Sequence, residues 1–127
     1  MNKRQIIDTI EEYKLDKSKF IVISGAALVL MEQEEATKDI DIWCNSEYCD
    51  YLINNYNAKF ERTNELGKKA YLIDDIINFG VSFEPKEFEI VEGIKCSSLR
   101  DILELKKFLN RDKDEIIIKK LERRLKL

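Results

Sequence analysis

Apolar residues recur at two different spacings along this chain. Ile6, Ile7, Ile10 and Tyr13 fall at helical intervals and predict an amphipathic helix over residues 3–14. Residues 20–23 (Phe-Ile-Val-Ile) form an unbroken apolar run of strand length. A turn of small residues follows, Ser24-Gly25-Ala26-Ala27, and residues 28–31 then read as the first turns of a buried helix. Beyond an acidic loop at 32–35, residues 37–42 read as a second strand, with polar and apolar residues alternating from Asp39. Asn45-Ser46 marks a helix start, with Ser46 as N-cap and Tyr48, Tyr51, Leu52 and Tyr56 as its apolar stripe. Strand-like patterning returns at 59–62, turns at Leu66-Gly67, and gives one or two more strands over 69–79. Residues 83–85 read as loop, and 89–91 with 93–96 as a short hairpin. Two helices close the chain. One spans 99–109, with Ser98 as N-cap and Asp101 at N3; the other starts near Lys113 with Asp112 as its cap. The expected architecture is a single α/β (α+β) domain over residues 1–127, a small mixed sheet of four to six strands with helices packed on one face.

The totals narrow what such a domain can do. At 127 residues there is enough chain for one core and not for two. The net charge of −3 gives no overall pull toward nucleic acid. No apolar run is long enough to cross a bilayer, and the first residues are charged where a signal peptide is apolar, so a cytoplasmic protein without membrane attachment is expected. Three cysteines without a C-x₂-C pair speak for buried thiols rather than disulfides or zinc. Histidine is absent, which excludes Ser-His-Asp and Cys-His catalysis and a histidine general base. Chemistry in this chain must run on carboxylates, lysines and metal ions.

The second strand supplies the carboxylates. Side chains alternate across a strand, so Asp39, Asp41 and Trp43 share one face while Ile40 and Ile42 enter the core from the other. Two acids held on one face repel each other unless a cation lies between them. A hard cation with oxygen ligands, Mg²⁺ above all, is the natural candidate, and such an ion is normally shared with substrate phosphates. The Ser24-Gly25 turn offers a place for those phosphates, because small residues allow close backbone approach at a helix N-terminus.

Ile23-Ser24-Gly25, a thirteen-residue spacer (residues 26–38), then Asp39-Ile40-Asp41-Ile42 resembles the signature of the nucleotidyltransferase superfamily with the polymerase-beta-type fold. Ser24 stands where that signature has its first glycine, and Thr37 fits many small members. Leu105-Lys106 and the segment Asn110 to Asp114 resemble the segment that closes small members of the superfamily. The resemblance implies that Asp39 and Asp41 bind two Mg²⁺ ions, and that Ser24, Gly25, Thr37 and Lys106 contact a nucleoside triphosphate. It also implies a third catalytic carboxylate on a neighbouring strand. Asp75 is the leading candidate, with Asp74 beside it, while Asn78 has the better apolar flanks and would leave the set incomplete.

The activity so implied is transfer of a nucleoside monophosphate from the triphosphate to a hydroxyl or amine of a small molecule, protein or RNA. A chain of this size would bind the acceptor through loops, a homo-oligomer or a protein partner. The alternative is a degenerate module that binds without turnover, as in a toxin–antitoxin or phage-defence pair. The basic C-terminal helices offer a weaker, third route to nucleic acid.

Overall fold

The computed structural model describes residues 1–64 and 66–127. Among them the sheet has seven strands: β1 (Phe20–Ile23), β2 (Ile40–Cys44), β3 (Lys59–Thr63), β4 (Lys69–Ile73), β5 (Ile77–Gly80), β6 (Phe88–Val91) and β7 (Ile94–Ser97). They lie in the order β3-β4-β5-β2-β1-β7-β6. β2 pairs antiparallel with β1 and parallel with β5, and β1 pairs parallel with β7, so the sheet is mixed. The helices are α1 (Lys3–Glu12), α2 (Ser24–Leu30), α3 (Ser46–Asn55), α4 (Leu99–Leu109) and α5 (Glu115–Leu125).

The core lies on one face of this sheet. Phe20 and Val22 of β1 and Ile40, Ile42 and Cys44 of β2 bury against Ile6, Ile7 and Ile10 of α1 and the apolar run of α2. Ile102, Leu103 and Leu121 bring the two C-terminal helices into the same cluster. Register carries the other parity of β2 outward. Asp41 is paired with Ile23 on one side and with Asn78 on the other, and Trp43 is paired with Gly80.

The strand count exceeds the expected four to six because residues 69–79 fold back on themselves. Asp74 and Asp75 both take left-handed backbone (φ 51° and 57°), and the Ile76 N–H donates to the Ile73 carbonyl at 3.0 Å. That is the primed hairpin turn, whose twist matches the strands it joins. Glu92 and Gly93 (φ 48° and 80°) make the same turn between β6 and β7.

Two helix starts differ from expectation. Asn45, one residue before Ser46, is the cap of α3, its side chain accepting from the Tyr48 N–H at 2.9 Å. Asp112 caps nothing: residues Asp112–Asp114 form a 3₁₀ turn and α5 begins at Glu115. Ser98 does cap α4, accepting from the Asp101 N–H at 3.1 Å. The three cysteines are free and buried, with the thiols of Cys44 and Cys49 in contact at 2.7 Å. Among the described residues no helix is long and apolar enough to cross a membrane.

Candidate functional site

The open face of the sheet carries a cavity of about 320 Å³ where β1, β2 and β5 meet α4 and the turn before α5. Ser24, Gly25, Asp41 and Asn78 line its sheet side, and Lys106, Arg111, Lys113 and Asp114 line its helical side. Arg62 and Asn64 reach in from the edge of the sheet, with the Asn64 amide fixed by donation to the Val81 carbonyl at 2.9 Å.

Sheet register explains the acidic side. Asp41 sits in the middle of β2, and Asn78 stands directly beside it on the parallel neighbour β5. Asp39 precedes the first paired residue of β2 by one position. Burial pushes the Asp41 carboxyl up to about 6, and the neighbouring charge of Asp39 adds to the shift. Arg62 and Lys106 pull in the opposite direction without cancelling it.

The basic side is built by α4 and the 3₁₀ turn. Asp114 is buried, 5% exposed. It receives Lys106 Nζ at 3.2 Å on one oxygen and Arg111 Nε at 2.6 Å on the other. Burial alone would raise the Asp114 carboxyl, but these two hydrogen-bonded cations more than offset it and hold it below the usual carboxylate range. This use of the side chain explains why Asp114 does not cap α5, although it immediately precedes it.

The turn at Ser24-Gly25 is sterically tight. Ser24 has left-handed backbone (φ 55°), a conformation that costs a serine on the order of 1 kcal/mol. At Gly25 an added Cβ would come within 2.9 Å of Thr37 Oγ1. Thr37 therefore stands against Gly25, outside the cavity wall. Its backbone is anchored to the first residue of the chain, its N–H donating to the Met1 carbonyl at 3.0 Å.

Of the residues expected at the site, Asp41, Ser24, Gly25 and Lys106 come together around one cavity, while Asp39 precedes β2 and is not part of the cavity lining. Asp75 does not join them. It is exposed at the tip of the β4–β5 hairpin, where the turn explains both acids. Asp74 accepts from the Tyr13 hydroxyl at 2.6 Å, a bond that raises the tyrosine to about 12. Among the described residues no three acids or thiols cluster as a metal site. The position beside Asp41 belongs to Asn78, which has a carbonyl oxygen to offer a cation but no basic group. Trp43 donates its indole N–H at 3.2 Å to the carbonyl of Ser82, which lines the cavity, but Trp43 itself is not part of that lining. Sequence reading missed Arg62 and Asn64. All five residues of β3 are exposed, so no alternation marks which of them face the site.

No family model matches this sequence, and no curated protein matches it significantly. Comparison with solved structures is more informative. The chain superposes on TM1012 from Thermotoga maritima, a candidate nucleotidyltransferase, with a TM-score of 0.66 over 94% of each chain at 14% identity. It also superposes on ANT(2″)-Ia, solved in complex with adenylyl-2″-tobramycin, with a TM-score of 0.53 over 93% of this chain and 83% of that one, again at 14% identity.

The chain has the nucleotidyltransferase fold.

At 14% identity the likeness is one of architecture, and chemistry must be argued from this chain's own residues. Within the nucleotidyltransferase fold Asp41 of β2 and the Ser24-Gly25 turn are neighbours across the β1–β2 ladder, where Ile23 pairs with Asp41. Four basic side chains and two carboxylates line the cavity between them and α4, in a chain whose net charge is −3. Positive charge is thus concentrated at this place.

Proposed function

We propose that the protein binds a nucleoside triphosphate with Mg²⁺ and transfers its nucleoside monophosphate to a hydroxyl or amine acceptor. The observation that carries this reading is the convergence of Asp41, the Ser24-Gly25 turn and the Lys106–Arg111 pair on one cavity of the nucleotidyltransferase fold. Asp39 and Asp41 fit a divalent cation: the Asp41 carboxyl is raised by burial and by its neighbour, and a cation would relieve both effects. Mg²⁺, when bound, would neutralise charge on the phosphates during in-line displacement. The chain's own part is positioning. Lys106, Arg111 and Lys113 offer cations to the phosphate oxygens, with Lys106 and Arg111 fixed by Asp114. The acceptor atom forms a bond to the α-phosphorus and gives up its proton to water as the bond to the bridging oxygen breaks, and pyrophosphate leaves.

Thermal stability with ATP, GTP, CTP and UTP, each with and without Mg²⁺, tests this. Ligand bound to the native state raises the melting temperature by mass action. A Mg²⁺-dependent rise that disappears in Asp39→Asn/Asp41→Asn is expected, and no rise at millimolar nucleotide would sink the reading.

Asn78 favours a second reading, a module that binds nucleotide without turnover, because no base stands beside Asp41 on β5. The two readings separate on Asn78→Asp. Pyrophosphate release by the unaltered protein supports transfer; release only after the substitution supports the binding module.

A further inference from the structure

A second cavity, of about 300 Å³, opens beside the first. Most of its exposed wall is apolar, from Phe83 and Pro85 of the β5–β6 connection and Leu105, Phe108 and Leu109 of α4, while Glu84, Lys86, Asp101 and Glu104 add charge to its lining. Ser24, Lys106 and Arg111 line both cavities, as do Phe83, Leu105 and Leu109, so the two meet at the cations that hold Asp114 and Phe108 belongs to the second alone. Phe83 and Phe108 form an edge-to-face pair, with centroids 5.2 Å apart and planes at 73°. Yet Phe83 is 40% exposed and Phe108 66% exposed. Two large exposed rings at the mouth of a cavity are the kind of apolar surface that marks a binding site. Neither ring belongs to the core cluster.

We propose that this second cavity takes the nucleobase of the triphosphate whose phosphates occupy the first. The inference rests on the proposed function and names the part of the substrate that the apolar wall would read. A single ligand that fills both cavities must be anionic at one end and apolar and planar at the other, joined at the level of Lys106 and Arg111. A nucleoside triphosphate has that form. The rings of Phe83 and Phe108 offer faces and edges to a flat heterocycle, and stacking of this kind tolerates any base. The cavity is at the lower end of the range for small-molecule sites, which suits one heterocycle with part of its sugar. The domain would then supply its own base pocket from α4 and the β5–β6 connection.

The test is calorimetric binding of ATP, GTP, CTP, UTP and inorganic tripolyphosphate, all with Mg²⁺, to the unaltered protein and to Phe83→Ala/Phe108→Ala. Both rings are exposed, so the variant is expected to keep its fold, and its melting temperature checks that. Phe108→Tyr keeps an aromatic ring and should bind as the unaltered protein does. The expected result is about tenfold weaker binding of the best nucleotide to the double variant, with tripolyphosphate affinity unchanged. Unchanged nucleotide affinity in the double variant would overturn the base pocket and leave nucleotide binding standing. An equal loss for nucleotide and tripolyphosphate would overturn it too, since the rings would then act on the phosphate site. If the unaltered protein binds neither nucleotide nor tripolyphosphate, the proposed function itself fails.

Discussion

Asp41 and Asp114 line the same cavity and have opposite surroundings. Asp114, from the turn before α5, is buried with a cation on each oxygen, and its acidity is strengthened. Asp41, from the middle of β2, has an acid as sequence neighbour on its own face and an amide beside it on β5. Its acidity is weakened, to about 6. The first carboxylate is satisfied by the protein. The second is costly in the protein alone, because Arg62 and Lys106 offset only part of its burial, and a bound cation would relieve it. That difference separates a group that builds the site from a group that uses it.

The sharpest way to break the comparison is to remove each acid and measure stability. Asp114→Ala should be the larger effect, lowering unfolding free energy by about 3 kcal/mol at pH 7, because it leaves Lys106 poorly solvated and unpaired. The Lys106 side chain is only 13% exposed. Denaturant titration measures this, and a loss below 1 kcal/mol would mean that Lys106 finds water or another partner.

Asp41→Asn should have the opposite sign, raising stability at pH 7 by about 2 kcal/mol while abolishing nucleotide-dependent stabilisation. The sign follows from linkage. The Asp41 carboxyl is near 6 in the folded protein and near the ordinary value of about 4 when unfolded, so between those values the folded state holds the extra proton. Stability of the unaltered protein from this group therefore rises as pH falls from about 6 to about 4, and is flat outside that window. The Asn variant lacks this slope. Asp114 acts in reverse: its contribution is full above about pH 4 and is lost as pH falls further, through its depressed folded value. Melting curves from pH 7 to pH 3 on both variants separate the two limbs. A wild-type profile without the rise between pH 6 and 4 would contradict the strained state of Asp41.

How far these roles were legible in the sequence depends on parity and on turns. Alternation through residues 39–43 placed Asp41 and Trp43 on the outward face, and the structure has them there, opposite Ile40 and Ile42. The small residues at 24–27 marked the turn, and at Gly25 an added Cβ would press on the Thr37 hydroxyl at 2.9 Å. The hairpin at 73–77 was the weak point. An acid pair between isoleucines reads equally as ligands on a strand or as a primed turn, and only the register of β5 on β2 decides that Asn78, and not Asp75, stands beside Asp41. The role of Asp114 was hidden for a different reason. The sequence showed it only as the last residue of the closing segment, inside the helix expected from Lys113, and its two partners lie on a separate element and in the preceding turn. Such pairings depend on how α4 meets α5, which local pattern does not contain.

Asn78→Asp makes Asp41 worse off and so sharpens the comparison. A carboxylate in register beside Asp41 should lower stability at pH 7 by about 1 kcal/mol without divalent cation, and steepen the rise between pH 6 and 4. Millimolar Mg²⁺ should restore most of the loss if the two acids share an ion. A loss that Mg²⁺ does not touch would mean that the two side chains diverge from a common ligand.

The smallest effect is expected on the other side of the site. Arg111 is 40% exposed, so its bond to Asp114 is well screened and Arg111→Gln should cost less than about 1 kcal/mol. Lys106 stays on the other oxygen of Asp114 and keeps that carboxylate paired. The value of this substitution lies in the contrast with Asp114→Ala. If Arg111 serves the phosphates more than the fold, Arg111→Gln should weaken tripolyphosphate and nucleotide to the same degree while melting almost as the unaltered protein does. A large drop in melting temperature would instead place Arg111 with Asp114 among the groups that build the site. The distinction between satisfied and strained charge would then hold for the acids alone.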